Sequence, residues 1–272
     1  MCTLIAFWRS VPGYDLVIGM NRDESAMRPA DPPSVFDGTP LIVAPRDQQA
    51  GGTWLGASGT GLVVALSNRR GRTSATARSR GQLVLEALRQ PSVPGVDVFL
   101  RRAVREHEYN FWNLLAASRK DLRFFRYDGE FATSRGHEGL NVLTNEGGNV
   151  ATDPKVQLVQ GLLAKTTARS IEDVIRALQS ALRTHASGAV GLCVHFQGGG
   201  TVSSTILALS NADPGENVLL YADGSPCTTP YRDYRDVIRA LLNPDRRRDG
   251  MPPLQHDDRS ILGREETLDH GS

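Results

Sequence analysis

The chain has 272 residues, enough to bury one large core, and its formal net charge of +1 leaves no electrostatic footprint for nucleic acid. No apolar run approaches the roughly 20 residues of a membrane-spanning helix, and the first residues lack the basic and apolar regions of a secretory signal. Its three cysteines, Cys2, Cys193 and Cys227, show no CxxC spacing, which argues against a disulfide framework or a cysteine-rich zinc site and for a cytoplasmic, reducing location.

In chain order, the apolar, β-branched run at 3–8 and the short run at 16–20 flank the turn residues Pro12, Gly13 and Asp15, and predict an antiparallel strand pair. The second run stops at Asn21-Arg22-Asp23-Glu24, four polar residues expected at the rim of the sheet. Residues 25–40, with Pro29, Pro32, Pro33 and Pro40, read as an ordered loop. Short strands are expected at 41–44 and 53–55 and a stronger one at 61–67, which delivers Asn68 at its end. Helical periodicity follows at 80–89 and 96–106, and strands return at 113–117, 122–127 and 140–144. The best helix spans 170–185, where Ile171, Val174, Ile175, Leu178 and Leu182 form one stripe and Ser170 with Asp173 makes a capping pair. Late strands at 192–196, 202–209 and 217–222 precede a last helix at 232–242. The whole reads as one layered α+β domain over 1–243, with a charged, mobile tail over 244–272.

Chemistry concentrates at the start. A cysteine thiol is only slightly ionised at neutral pH and needs a base. Removal of Met1 would put an α-amino group, of pKa roughly 7.7–8.0, on the same residue as the Cys2 thiol, so nucleophile and base would be one residue. The hairpin brings the end of the second strand beside Cys2, where Asp23 is placed to hold the amine and Arg22 to lower the thiol pKa. Asn68 and Asn145 each follow an apolar run and carry amide donors suited to an oxyanion. The six histidines show no metal-ligand spacing; His195, inside LCVHF, reads as a strand-face residue and Cys193 as a small buried one.

Four segments taken together, MCTLIAFW, Asn21-Arg22-Asp23-Glu24, RDQQAGGTWLG at 46–56 and Ser79-Arg80-Gly81, resemble the NRDE family, also called the transport-and-Golgi-organisation family. The resemblance covers roughly residues 1–240 and implies a four-layer αββα sandwich of the N-terminal-nucleophile (Ntn) hydrolase type. A more distant resemblance is to choloylglycine hydrolases and penicillin V acylases, which begin Met-Cys and end their first hairpin in Arg-Asn-x-Asp. Here that stretch is Met20-Asn21-Arg22-Asp23, so Asp23 matches the family's catalytic aspartate, while Met20 replaces its arginine and Arg22 follows two residues later. Asn68 resembles their oxyanion asparagine, and VLTN ending at Asn145 is similar to the motif carrying the second. Their late arginine would fall on Val202 of Thr201-Val202-Ser203-Ser204 and is absent.

These resemblances imply a hydrolase that cleaves a linear amide or ester through an acyl thioester on Cys2, with Asp23, Arg22, Asn68 and Asn145 in support and no cofactor or metal. The partner expected is a small acyl amide. The alternative is a non-catalytic carrier of haem or acyl lipid on the same scaffold, since some NRDE relatives are linked to haem trafficking and lipid homeostasis. A third reading makes Cys2 merely an exposed, redox-sensitive thiol.

Overall fold

The computed structural model describes residues 2–71, 73–164, 166, 169–185 and 190–242; the tail expected over 244–272 lies outside them. Two antiparallel sheets face one another. The first has the order β10 (Gly139–Leu143), β1 (Thr3–Val11), β2 (Tyr14–Ser25), β12 (Gly199–Ser210), β13 (Val218–Ala222), β14 (Arg232–Asp233), with β11 (His195–Phe196) also paired to β12. The second runs in chain order through β3 (Ala30–Phe36), β4 (Ile42–Asp47), β5 (Leu55–Ser58), β6 (Val63–Asn68), β7 (Trp112–Ala117), β8 (Leu122–Tyr127) and β9 (Phe131–Arg135).

Strand alternation builds the layers. On β1, Leu4, Ala6 and Trp8 point into the core between the sheets, which they share with Met20, Val63, Leu115 and Leu207. Ile5 and Phe7 point the other way, against α3 (Pro154–Leu163) and α4 (Ile171–Leu182) through Val156, Val159, Val174 and Leu178. The second sheet buries Ile42, Val64 and Leu114 under α1 (Arg80–Leu88) and α2 (Val93–Glu106). The result is the expected helix–sheet–sheet–helix sandwich. A short helix, α5 (Arg235–Arg239), instead sends Ile238 into the core between the sheets.

The polar tetrapeptide departs from expectation. β2 does not stop at Met20 but continues to Ser25, and Asn21, Arg22 and Asp23 are 0, 4 and 5% exposed. Each is buried with a specific partner rather than left at a wet rim. The Asn21 amide donates to the carbonyls of Leu182 (2.9 Å) and Leu192 (2.8 Å), tying β2 to the end of α4. The loop expected over 25–40 contains β3, an edge strand whose register shifts between Asp31 and Ser34, where its prolines interrupt pairing. The strand expected at 192–196 shortens to β11, and α3 and β9 had no counterpart in the sequence reading.

One seam joins two of the sequence motifs. A Cβ on Gly52 would sit 2.3 Å from the Gly81 carbonyl carbon, and the Thr53 amide donates to the Gly81 carbonyl at 3.2 Å. The RDQQAGG loop and the Ser79-Arg80-Gly81 helix start therefore touch backbone to backbone, which requires glycine at 52. Together they wall one side of the cleft described next.

Candidate active site

Cys2 stands immediately ahead of β1, and Thr3 pairs with Asn21, so the head of the first strand lies beside the buried residues Asn21, Arg22 and Asp23. Cys2 is itself buried, not an exposed thiol. Its Sγ is 4.0 Å from the backbone carbonyl of Asp23, and its own carbonyl accepts from Ser67 Oγ at 3.3 Å. Burial pushes the Cys2 thiol up, with the Asp23 charge acting in the same direction. A base is therefore needed before this sulfur can attack.

A cleft of about 320 Å³ opens on Cys2 and is lined by Asn68, Trp54, Arg22, Arg28, Arg78 and Arg80, with Glu24 and Asp47. Arg22 stacks over the Trp54 ring at 4.3 Å and pairs with Asp47 Oδ2 at 3.1 Å. Its charge is thus shared with a buried carboxylate, and the thiol it was expected to acidify is shifted upward instead. Met20 and Arg22, two residues apart, share the face of β2 toward the core between the sheets; Met20 packs there, while Arg22 reaches the cleft. Asp47 is a hub: its Oδ1 accepts from the amides of Gln49 (3.0 Å) and Ala50 (2.9 Å), and its Oδ2 also takes Arg28 Nε at 2.7 Å. Burial, followed by the neighbouring Arg28, pulls Arg80 down. Four arginines face Glu24 and Asp47 in the lining and Glu86, which pairs with Arg78 at 2.6 Å from behind, so the cleft wall keeps a small cationic excess.

Asp23 takes the opposite face of β2. Its Oδ1 accepts from Thr201 Oγ1 at 2.6 Å, and its Oδ2 lies 4.0 Å from Lys155 Nζ, which also donates to Thr3 Oγ1 at 3.2 Å. Burial pushes the Asp23 carboxyl up, while the Thr201 hydrogen bond and the Lys155 charge pull it back. Lys155 is a buried residue that the sequence reading passed over. Asp153-Pro154 is the signal that marks it: Asp153 caps α3 by accepting from the Lys155 amide at 2.9 Å, and that start places Lys155 under Asp23.

The two asparagines differ. Asn68 closes β6 and lines the Cys2 cleft. Asn145 spends its amide N–H groups on Ser67 Oγ (3.2 Å) and the Asn68 carbonyl, while its backbone carbonyl accepts from Asn113 Nδ2 at 2.8 Å. It does not line the Cys2 cleft but a second cavity of about 440 Å³ shared with Lys155. The chain Asn145–Ser67–Cys2 carbonyl nonetheless ties it to the same strand end. Val202 lies in β12 and brings no cation to the site.

The family model described as Transport and Golgi organisation 2 matches residues 1–190. The bovine Transport and Golgi organization protein 2 homolog is 33% identical over 108 residues, 38% of this chain. That match spans 39% of the relative's own length. Among solved structures, a variant of the conjugated bile acid hydrolase from Clostridium perfringens superposes with a TM-score of 0.59 at 11% identity, covering 98% of this chain and 100% of that one. Penicillin V acylase from Agrobacterium tumefaciens gives 0.51 at 10% identity, over 86% of each chain. These likenesses establish the Ntn-hydrolase sandwich.

Proposed function

The chain belongs to the Transport and Golgi organisation 2 family, and from that premise we propose that it is an N-terminal-cysteine hydrolase of a linear amide or ester. The observation that carries this reading is the placement of Cys2 at the head of β1, on a cleft that it shares with Asn68 and beside Asp23. Once Met1 is removed, the Cys2 α-amine takes the thiol proton and Sγ attacks the substrate carbonyl carbon. The oxyanion is held by the Asn68 amide, with Asn145 positioning the strand end that carries it. Collapse breaks the C–N bond, the amine leaves with the proton, and water then hydrolyses the thioester to a carboxylic acid and free thiol. Asp23, anchored by Thr201 and Lys155, orients the α-amine. No cofactor enters these steps.

The cationic wall favours a small acyl amide bearing a carboxylate or similarly anionic substituent over a neutral, bulky one. The deciding test uses protein from its own cell. Intact mass is expected to lack Met1, and Cys2→Ala to lose turnover on an amide and ester panel by at least about 10³-fold while circular dichroism stays unchanged. Retained Met1, or turnover that survives Cys2→Ala, overturns the mechanism. Tight haem or acyl-lipid binding with no turnover of any panel member would favour the carrier instead.

A further inference from the structure

Away from the Cys2 cleft, four side chains from separate segments converge. His185 follows α4, Cys193 and His195 lie on the approach to β12, and Cys227 sits in the turn between β13 and β14. One ligand atom from each lies within 4.8 Å of all the others. We propose that His185, Cys193, His195 and Cys227 form a closed, tetrahedral site for a divalent transition metal, and that zinc is the ion it suits.

The spacing fits the ion. Zinc–sulfur bonds of about 2.3 Å and zinc–nitrogen bonds of about 2.0–2.1 Å set sulfur and nitrogen about 3.6 Å apart across a tetrahedron. His195 Nε2 lies 3.4 Å from Cys227 Sγ and 3.8 Å from Cys193 Sγ. The tautomer of His185 is fixed as well. Its Nδ1 is 3.0 Å from the Cys193 carbonyl, which only accepts, so Nδ1 carries the proton and Nε2 is left to bind. Cys193, in a bend, and His195, at the start of β11, flank Val194, and each brings a ligand atom into the cluster. Two thiolates and two imidazoles select a tetrahedral, borderline-soft ion over magnesium or calcium.

The site is built into the frame that backs Asp23. Between its two ligands, Val194 donates its amide to Thr201 Oγ1 at 3.0 Å and accepts from the Thr201 amide at 2.8 Å. The turn carrying Cys227 reaches the same residue, Ser225 Oγ donating to the Thr201 carbonyl at 2.6 Å. Thr201 in turn holds Asp23. A metal here staples the end of α4, the approach to β12 and the β13–β14 turn to one another, which assigns it a structural role.

The test uses the full chain, reduced, stripped with a chelator and titrated with Co²⁺ as the spectroscopic probe. One equivalent is expected to bind with thiolate-to-cobalt charge transfer and tetrahedral ligand-field bands, and one equivalent of Zn²⁺ to displace it. Cys227→Ser and, independently, His195→Ala are expected to weaken binding on the order of 100-fold or more with the fold intact by circular dichroism. Cys2→Ala is expected to leave the spectrum unchanged. Absence of stoichiometric binding in the reduced protein overturns the proposal. So does a spectrum that survives in both ligand variants, or one that is lost in Cys2→Ala. Each of these readouts is independent of hydrolase activity.

Discussion

Two clusters beside the paired end of β2 and start of β12 show two ways a chain assembles reactive groups. Around Cys2, Arg22 and Asp23 arrive on a single hairpin, in which Thr3 pairs directly with Asn21, and Asn68 arrives on β6 of the facing sheet. At the His185–Cys193–His195–Cys227 cluster, the groups arrive from a helix end, a strand approach and a distant turn. A hairpin fixes its geometry through backbone pairing, so a compact motif records it. A cluster drawn from remote turns is fixed by side chains and leaves only isolated letters in the chain. If both proposals hold, the first cluster is the rigid one, and the second is a fastener whose ligands can be removed while the hairpin keeps its pairing.

The largest effect that bears on this division is expected from Asp23→Asn. Turnover should fall by about 10²–10⁴-fold, the size of a lost acid–base or orienting group, while Co²⁺ affinity stays as in the wild type. A parallel loss of metal binding would mean that the two clusters, which Thr201 joins, are one cooperative unit. Next comes Asp47→Ala, which strands the buried Arg22 guanidinium without its carboxylate. Denaturant unfolding should show a loss of about 3–5 kcal/mol. Zinc should then add stability through the second cluster: at free ion 100-fold over Kd, mass action adds about 2.7 kcal/mol. That corresponds to a rise of about 5–10 °C in Tm by calorimetry, reversed by chelator and missing in Cys227→Ser.

The smallest effect, absent at neutral pH, is an alkaline one. Tyr231 hydrogen-bonds Ser204 Oγ at 2.7 Å, and burial pushes its phenol from 10.0 up to about 12. Below pH 10 both folded and unfolded states keep the proton, and nothing is lost. As pH rises from 10 toward 12 the unfolded chain ionises first, so stability falls across that window. Tyr231→Phe should flatten this fall in alkaline melts, and an unchanged slope would remove Tyr231 as its source.

Much of the fold was legible. The apolar runs mark β1, β6, β8 and β12, and the Ser170 cap with its stripe marks α4, because these elements bury one face against a partner of either sheet. The end of β2 was not, since four polar residues in a row ordinarily mean solvent. What buries them is the Leu182 carbonyl, Asp47 and Thr201, partners 161, 25 and 178 positions away, which no local pattern encodes. β3 hid behind its prolines, which an edge strand tolerates. Cys2, Arg22 and Asn68 share one cleft, and Asp23 joins them through its backbone. Lys155 and the Cys193–His195 pair were readable only as a helix start and an alternation of two, signals too common to single out a site without a third dimension.

The hairpin carries a practical consequence. β2 continues to Ser25 although β1 begins only at Thr3, so Arg22, Asp23 and Glu24 run on past the first residue of β1 and pair only with β12. The proposed mechanism needs a free α-amine on Cys2, and any polypeptide fused ahead of it removes that amine. An affinity tag at the amino end would keep methionine aminopeptidase from exposing Cys2, the step on which the proposed mechanism depends. A test of the proposed hydrolysis therefore uses protein tagged at the opposite end, and a silent assay on amino-tagged protein does not bear on the proposal.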